Sequence, residues 1–269
     1  MAITFGKKRQ DALSFAVVTD NMVACWDAQQ STGSLHWPDA CVSGSAPKKH
    51  TSFYGSAGGT WGKFNTGSRN IQNMGGTTQN SGGPTLNTET YNNKNKVKYF
   101  TFDGSNDWFC TTQTSISAYS GSIVAWIRMD SSSTMWVLSH HSGGPINIGY
   151  GAMSGKMNVW HYTGAPGFQQ HQSTGSISGD KWRQVVWTYD SMNQNDNKFA
   201  MYIDGDLDHE KGLSWYTASQ FPGNIGAIGR NHSGKYWNGD IAYLAMYADA
   251  LTASEVSKMF QAQRHRFRV

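Results

Sequence analysis

Three glutamates, Glu89, Glu210 and Glu255, are the only ones in the 269-residue chain, and they lie far apart. Glycosidic cleavage uses two carboxyl groups flanking one bond, one as acid and one as nucleophile or base, and no such pair stands together here. Asp204, Asp206 and Asp208 alternate and, with Glu210, invite a calcium reading. A calcium loop of the helix-loop-helix kind wants Gly at its sixth position and Glu at its twelfth, yet these hold His209 and Trp215. A polar hairpin turn fits the run better. His140, His141 and His161 fall near strand ends without the close histidine spacing of a zinc site. Cys25 and Cys110 lack an evident base to activate a thiolate and read as small buried hydrophobes. No glycine-rich phosphate loop follows a strand.

What remains is aromatic surface chemistry. Trp160, His161 and Tyr162, then Trp215 and Tyr216, then Tyr236, Trp237 and Asn238 cluster beside polar, glycine-rich loops. A flat ring next to an amide donor can hold a sugar ring or anchor a protein partner, and the same rings can equally fill a core.

The rest of the composition limits the elements that could position them. Charged residues make up 15% of the chain, below the roughly 25% of ordinary globular proteins, and Gly, Ser, Thr and Asn take their place. With 30 Gly, 11 Trp, 12 Tyr and 12 Phe, the chain favours strands over helices and excludes a coiled coil. The net charge of +4 is too small and scattered to predict nucleic acid binding. Both ends are locally basic, through Lys7, Lys8 and Arg9 and through Arg264, Arg266 and Arg268. Such runs are solvated ends or arms that dock on an acidic neighbour. Three cysteines cannot all pair within one chain, and none stands in a CxxC spacing. The opening residues carry a Lys-Lys-Arg run where a secretory signal needs apolar ones, and no apolar run is long enough to span a bilayer. These features predict a soluble protein folding in a reducing cytoplasm, with no membrane insertion.

Residues 1–20 read as an arm leading into a strand over 22–27, followed by a Gly/Ser/Asn-rich insertion at about 28–96 with short strands of its own. Beyond it, strands are predicted over 97–102, 122–129, 135–139, 156–162, 182–190, 198–205 and 240–247, separated by turn signals. Asp204-Gly205 supplies the positive φ angles of a tight hairpin. Thr252 and Glu255 form a capping box that starts a short helix, whose apolar side is expected to close one end of the sandwich. A basic tail is expected over 263–269.

Phe102-Asp103-Gly104-Ser105-Asn106-Asp107-Trp108, the strand Ser122 to Ile127, the strand Trp182 to Asp190, Tyr202-Ile203-Asp204-Gly205, Ile228-Gly229-Arg230, Asn238-Gly239-Asp240-Ile241 and Ala250 to Val256 follow in an order that resembles the concanavalin A-like, laminin-G-like jelly roll. The resemblance covers about 97–262, and Asn21 to Asp27 is similar to the family's first strand. It implies an all-β, antiparallel jelly-roll sandwich of the lectin/glucanase type with a short C-terminal helix, a single domain over 21–262. Hydrolases of this superfamily carry a Glu-x-Asp-x-x-Glu strand, which this chain lacks, so the protein is expected not to be an enzyme. Some members hold calcium near the loop of Asp103 and Asp107, but Ala242 stands where their further carboxylate would be. No cofactor is expected, and Asp103 and Asp107 are the residues a calcium ion would use.

The segments Val18 to Val23 and Met259 to Phe267 further resemble versions of this domain carried by marine tailed phages. That resemblance implies a non-enzymatic virion protein made in the host cytoplasm, most simply a capsid decoration or head-surface protein. It would act by binding capsid proteins and a glycan, through the basic ends and the loop aromatics respectively, and self-association is compatible with it. Alternatives are a tail-associated receptor binder for host surface glycan and a cellular lectin-like protein.

Overall fold

The computed structural model describes residues 22–30, 36–37, 71–73, 84–91, 95–115, 120–130, 134–139, 147–162, 168–190, 198–212, 224–230, 235–247 and 249–269. In chain order the strands are β1 (Met22–Asp27), β2 (His36–Trp37), β3 (Ile71–Asn73), β4 (Thr85–Tyr91), β5 (Asn95–Asp103), β6 (Phe109–Ser115), β7 (Ser120–Met129) and β8 (Met135–Ser139). They continue with β9 (Asn147–Met153), β10 (Lys156–Tyr162), β11 (Phe168–Ser176), β12 (Arg183–Asp190), β13 (Lys198–Ile203), β14 (Asp206–Gly212), β15 (Asn224–Ile228) and β16 (Asn238–Tyr247), and end in the helix α1 (Ala253–Phe267).

The strands form two antiparallel sheets. The first runs β14-β13-β12-β7-β16-β5-β4, with β1 also pairing to β16; the second runs β11-β10-β9-β8-β15-β6-β3-β2. Period-two alternation explains the layering. On β7, Ile123, Ala125 and Ile127 face the second sheet, while Val124 and Trp126 belong to a separate apolar layer on the opposite face. β12, β13 and β16 divide their side chains the same way, with Val185, Met201 and Leu244 inward and Val186, Tyr202 and Tyr247 outward.

The outward layer is closed by α1. Its Val256, Met259, Phe260, Gln263, Arg266 and Phe267 are buried at helical spacing. Helix and layer meet at Trp126, whose ring stacks on Phe267 at 4.0 Å while its Nε1–H donates to Gln263 Oε1 at 2.5 Å. The capping box is as the sequence predicts, Thr252 Oγ1 accepting from Glu255 N and the Glu255 carboxylate from Thr252 N. These N–H and O–H donors hold the Glu255 carboxyl below its usual range.

Four expectations need correction. The helix covers a sheet face, not an end of the sandwich. Residues 263–267 are its last turn and not a tail, because their buried members extend the same apolar stripe. Arg266 is a core residue: its guanidinium makes two hydrogen bonds to Asp27 at 2.6 and 2.8 Å, with both side chains nearly solvent-free. The stretch read as insertion also ends early, since β4 pairs along its whole length with β5.

The β13–β14 hairpin forms as expected, with Asp204 at φ 53° and Gly205 at φ 88°. A side chain at Gly205 would also strike the Phe260 ring carbons, so the glycine admits the helix as well as the turn. On β11, His171 faces inward beside Phe199, and burial with the charges of Lys211 and His209 pushes its pKa down to about 4.

Two outcomes follow. Arg266→Met leaves the Asp27 carboxylate buried without its partner and should lower unfolding free energy by about 3–5 kcal/mol, read from urea denaturation. For His171, the unfolded chain takes up a proton below the ordinary value of 6.5 that the folded chain refuses until about 4. Stability should therefore fall by about 1 kcal/mol per pH unit as pH drops through that window, and His171→Phe should remove this part of the slope.

Candidate functional site

The outer face of the second sheet presents a different chemistry from the helix-covered face of the first. On β10, Met157 and Val159 point into the core, so Asn158 and Trp160 stand on the outer face. Register places Trp136, Gly151, Asn158 and Gln172 in one row across β8, β9, β10 and β11. The next row holds Gly149, Trp160 and Gln170, and the one beyond it Asn147, Tyr162 and Phe168.

β9 contributes glycines at both indole-bearing rows, and that lets Trp136 and Trp160 meet across it. Their rings stack at 4.4 Å with 26° between planes. A Cβ at Gly151 would fall 2.1 Å from the Met135 carbonyl oxygen, so only glycine permits β8 to approach this closely. Both indoles are buried, yet neither belongs to the two apolar cores.

Asn158 is the polar centre of the face. It is 0% exposed, and neither its Nδ2 nor its Oδ1 has a hydrogen-bond partner; Trp136 Nε1 is also buried without one. An unpaired buried amide costs roughly 1–3 kcal/mol per group relative to a paired one. Gln172 Nε2 lies 3.4 Å from Met153 O and Gln170 Nε2 lies 3.6 Å from Met153 Sδ, so both amides are held by long contacts. These rows combine stacked rings with amide donors and acceptors and include no carboxylate or thiol. Such a surface can bind a hydroxylated molecule.

The residues singled out in the sequence are scattered by the fold. Trp160 lies in the stacked pair, closed in by its neighbours and not the open platform expected. Trp237 is fully buried in the inter-sheet core, which corrects its reading as a ligand contact. His161 and Tyr162 occupy β10, but their side chains lie outside the described residues, as do Trp215, Tyr216, Lys7, Lys8 and Arg9 altogether. Tyr236 and Trp108 take the guanidinium of Arg230 over their rings, at 5.6 and 4.6 Å. Asn238 is half-buried against Gly104, and its backbone N–H points to Met135 Sδ. Arg264 and Arg268 are exposed, the latter lying 4.3 Å over the Tyr91 ring.

Asp103 and Asp107 close their own loop. The Asp103 carboxylate accepts from the backbone N–H groups of Ser105, Asn106 and Asp107, and Asp107 accepts from Asp103 N. Burial opposes ionisation of Asp103, but these donors outweigh it and hold its pKa below the usual range. Burial and then the Asp103 charge raise that of Asp107. Among the described residues, no three His, Cys, Asp or Glu side chains converge as metal ligands.

Sequence reasoning missed one polar cluster entirely. Arg128 lies on the outer face of the first sheet between the rings of Tyr99 and Trp182, at 5.0 and 4.9 Å. It pairs with Asp240 at 2.7 Å and Glu89 at 3.0 Å, and Asp240 also accepts from Thr101 Oγ1 at 2.6 Å. Burial raises the pKa of Asp240, and burial with the neighbouring Glu89 pushes Tyr91 up to about 12. The available signal was a lone arginine inside the apolar run of β7, because a charge there requires partners from adjacent strands. The cluster ties β4, β5, β7 and β16 together.

A family model described as "Concanavalin A-like lectin/glucanases superfamily" (Laminin_G_3) matches residues 103–257. No curated protein sequence matches the chain significantly. Among solved structures, domain 4 of AbnA, a GH43 extracellular arabinanase from Geobacillus stearothermophilus in complex with arabinotriose, is similar at TM-score 0.62 and 16% identity, over 90% of this chain and 98% of that one. The binding domain of botulinum neurotoxin serotype D/C aligns at TM-score 0.57 and 13% identity, over 90% of this chain and 52% of that one. That of Paraclostridial Mosquitocidal Protein 1 aligns at 0.50 and 15%, over 74% and 49%. The chain thus spans about half the length of these two toxin chains. At such identities the likeness establishes the fold.

Proposed function

We propose, for a chain that belongs to the concanavalin A-like lectin/glucanase superfamily, a non-enzymatic glycan-binding role on the surface of a tailed-phage particle. The observation that carries the binding half is the outer face of the second sheet, where Trp136 and Trp160 stack beside the amides of Asn158, Gln170 and Gln172. Neutral hydrogen-bonding groups around apolar rings suit a sugar, whose hydroxyls and C–H faces need both. The same rows bring no pair of carboxyl groups to the face, which favours holding a glycan over cleaving it. The bound arabinotriose named for the similar arabinanase domain supports a sugar ligand for this fold.

The virion half rests on the sequence likeness of the two chain segments to phage-carried versions of the domain. Of the basic residues expected to dock on a shell, Arg264 and Arg268 are on the surface and keep that role in the proposal together with Lys7, Lys8 and Arg9. Arg266 does not, since Asp27 neutralises it. A head-decoration role is preferred, with the exposed Arg264 and Arg268 among the groups that dock on the shell.

Electron microscopy of purified particles labelled with an antibody to this chain tests the placement: dense labelling over heads is expected, whereas tail-only labelling favours a receptor binder and none removes the virion role. Reversing the basic run with Lys7→Glu, Lys8→Glu and Arg9→Glu should weaken attachment to the particle and leave the melting temperature of the free protein unchanged. Attachment at wild-type strength would show the run to be a solvated segment.

A further inference from the structure

We infer that the solvent face of α1 is the docking surface of this chain, and that Arg264 and Arg268 grip paired carboxylates on an acidic protein of the particle. The inference rests on the virion reading and adds the face, the two residues that decide affinity and the chemistry of the partner.

The first argument is the division of the helix into faces. Opposite the stripe that packs on the first sheet, Lys258, Gln261, Arg264, His265 and Arg268 are exposed, at the same spacing of three and four residues. Apart from Gln261 these are all lysine, arginine or histidine. The only acid of the helix, Glu255, is at its first turn, where the Thr252 cap holds it. A basic surface without interspersed carboxylates therefore runs along the length of α1.

The second argument is how the two arginines are held. Arg264 lies over the Phe260 ring at 6.0 Å and Arg268 over the Tyr91 ring at 4.3 Å. Stacking uses the flat face of a guanidinium and leaves its in-plane N–H fork available, and that fork meets a carboxylate with two parallel bonds. Among the described residues no carboxylate pairs with either arginine. The Arg268 backbone N–H donates to Arg264 O, so the cap fixes the two about one helical turn apart, ~6 Å along the axis. Arg266 with Asp27, and Phe267 with Trp126, hold α1 itself in place, so little order remains to be lost on binding. The helix dipole favours cations near a C-terminus, but any basic side chain serves it, and it does not call for guanidinium groups laid on rings.

The third argument selects a protein over a phosphate or sulfate polymer. Leu207 is 51% exposed, the most exposed large apolar side chain among the described residues. It pairs in register with Tyr202, which shares the outer layer with Phe260, and the turn before it sets Gly205 against the Phe260 ring. The apolar spot thus borders the ring on which Arg264 lies. Asp206 and Glu210, exposed on the same strand, repel a uniformly anionic chain laid across this end of the helix. A protein surface can place carboxylates at the arginines and an apolar side chain at Leu207, and a polyanion cannot.

The test rebinds the full chain to purified particles lacking it and measures retention by sedimentation, with melting temperatures confirming that each variant is folded. Arg264→Gln with Arg268→Gln should weaken binding about tenfold or more. Arg264→Lys with Arg268→Lys, which keeps the charge without the fork, should weaken it several-fold, and Leu207→Ser should also bind less. Lys156→Gln with Lys235→Gln makes the same change in net charge outside the helix and should bind as wild type. Zero-length carbodiimide coupling should join Lys258 to an Asp or Glu of a particle protein. Wild-type binding by the glutamine or the lysine pair overturns the inference, as does an equal loss in the control pair. Coupling of Lys258 to a uronate glycan, or binding abolished by nuclease, overturns the protein partner and the inference with it. If the wild-type chain does not bind particles, the virion reading fails and this one with it. If the helix variants bind normally and only reversal of Lys7, Lys8 and Arg9 releases the chain, this inference fails alone.

Discussion

The pairing of Arg266 with Asp27 takes two full charges out of water, and it holds only if the last turn of α1 lies against β1. Around that contact the outer layer of the first sheet assembles. Trp126 needs Phe267 and Phe260 to cover its ring and Gln263 to satisfy its indole nitrogen, all three contributed by the same helix. Without α1, a layer containing Trp126, Val186, Tyr243 and Tyr247 would face water. A buried ion pair adds little net stability compared with apolar packing, but it penalises any helix position that misplaces one partner. Its value to this fold is therefore one of register, locking residues 239 positions apart.

Covering one sheet on both faces has a consequence for the other. The helix occupies the outer face of the first sheet, and the Arg128 cluster consumes the polar groups beside it in strand-to-strand ties. The outer face of the second sheet is treated differently by the sequence. Asn158, Gln170 and Gln172 take the positions that Val186 or Tyr247 take on the first sheet, and glycines in β9 draw two tryptophans together. The two outer faces thus differ: one sheet is sealed by helix and ion pairs, and the other carries stacked indoles beside amides.

The strands richest in alternating apolar residues, β7, β12, β13 and β16, were readable from the sequence, as were the Asp204-Gly205 hairpin and the Thr252 capping box. β4, β6, β9, β11 and β14 were not. Their sequences, such as Thr85 to Tyr91 or Phe168 to Ser176, are polar or glycine-rich because one face meets solvent or amides, and such runs resemble loops until a neighbouring strand pairs with them. The candidate face was visible only in part, through Trp160. Its partner Trp136 lies 24 positions away and joins it by register alone.

Residue types and local spacing thus determined what is decided locally: the preference for strands over helices, the tight turns where positive φ is needed, the start of the helix, and the absence of a catalytic carboxylate pair close in sequence. Tertiary structure alone decided which aromatics are core and which lie outside it, since Trp237 and Trp160 are equally apolar, yet Trp237 sits between the sheets and Trp160 on the outer face of the second. It also turned Arg266 from a surface charge into a core partner and left Asn158 without one. Burial and pairing are properties of neighbours brought together across the chain, and no single stretch of sequence encodes who those neighbours are.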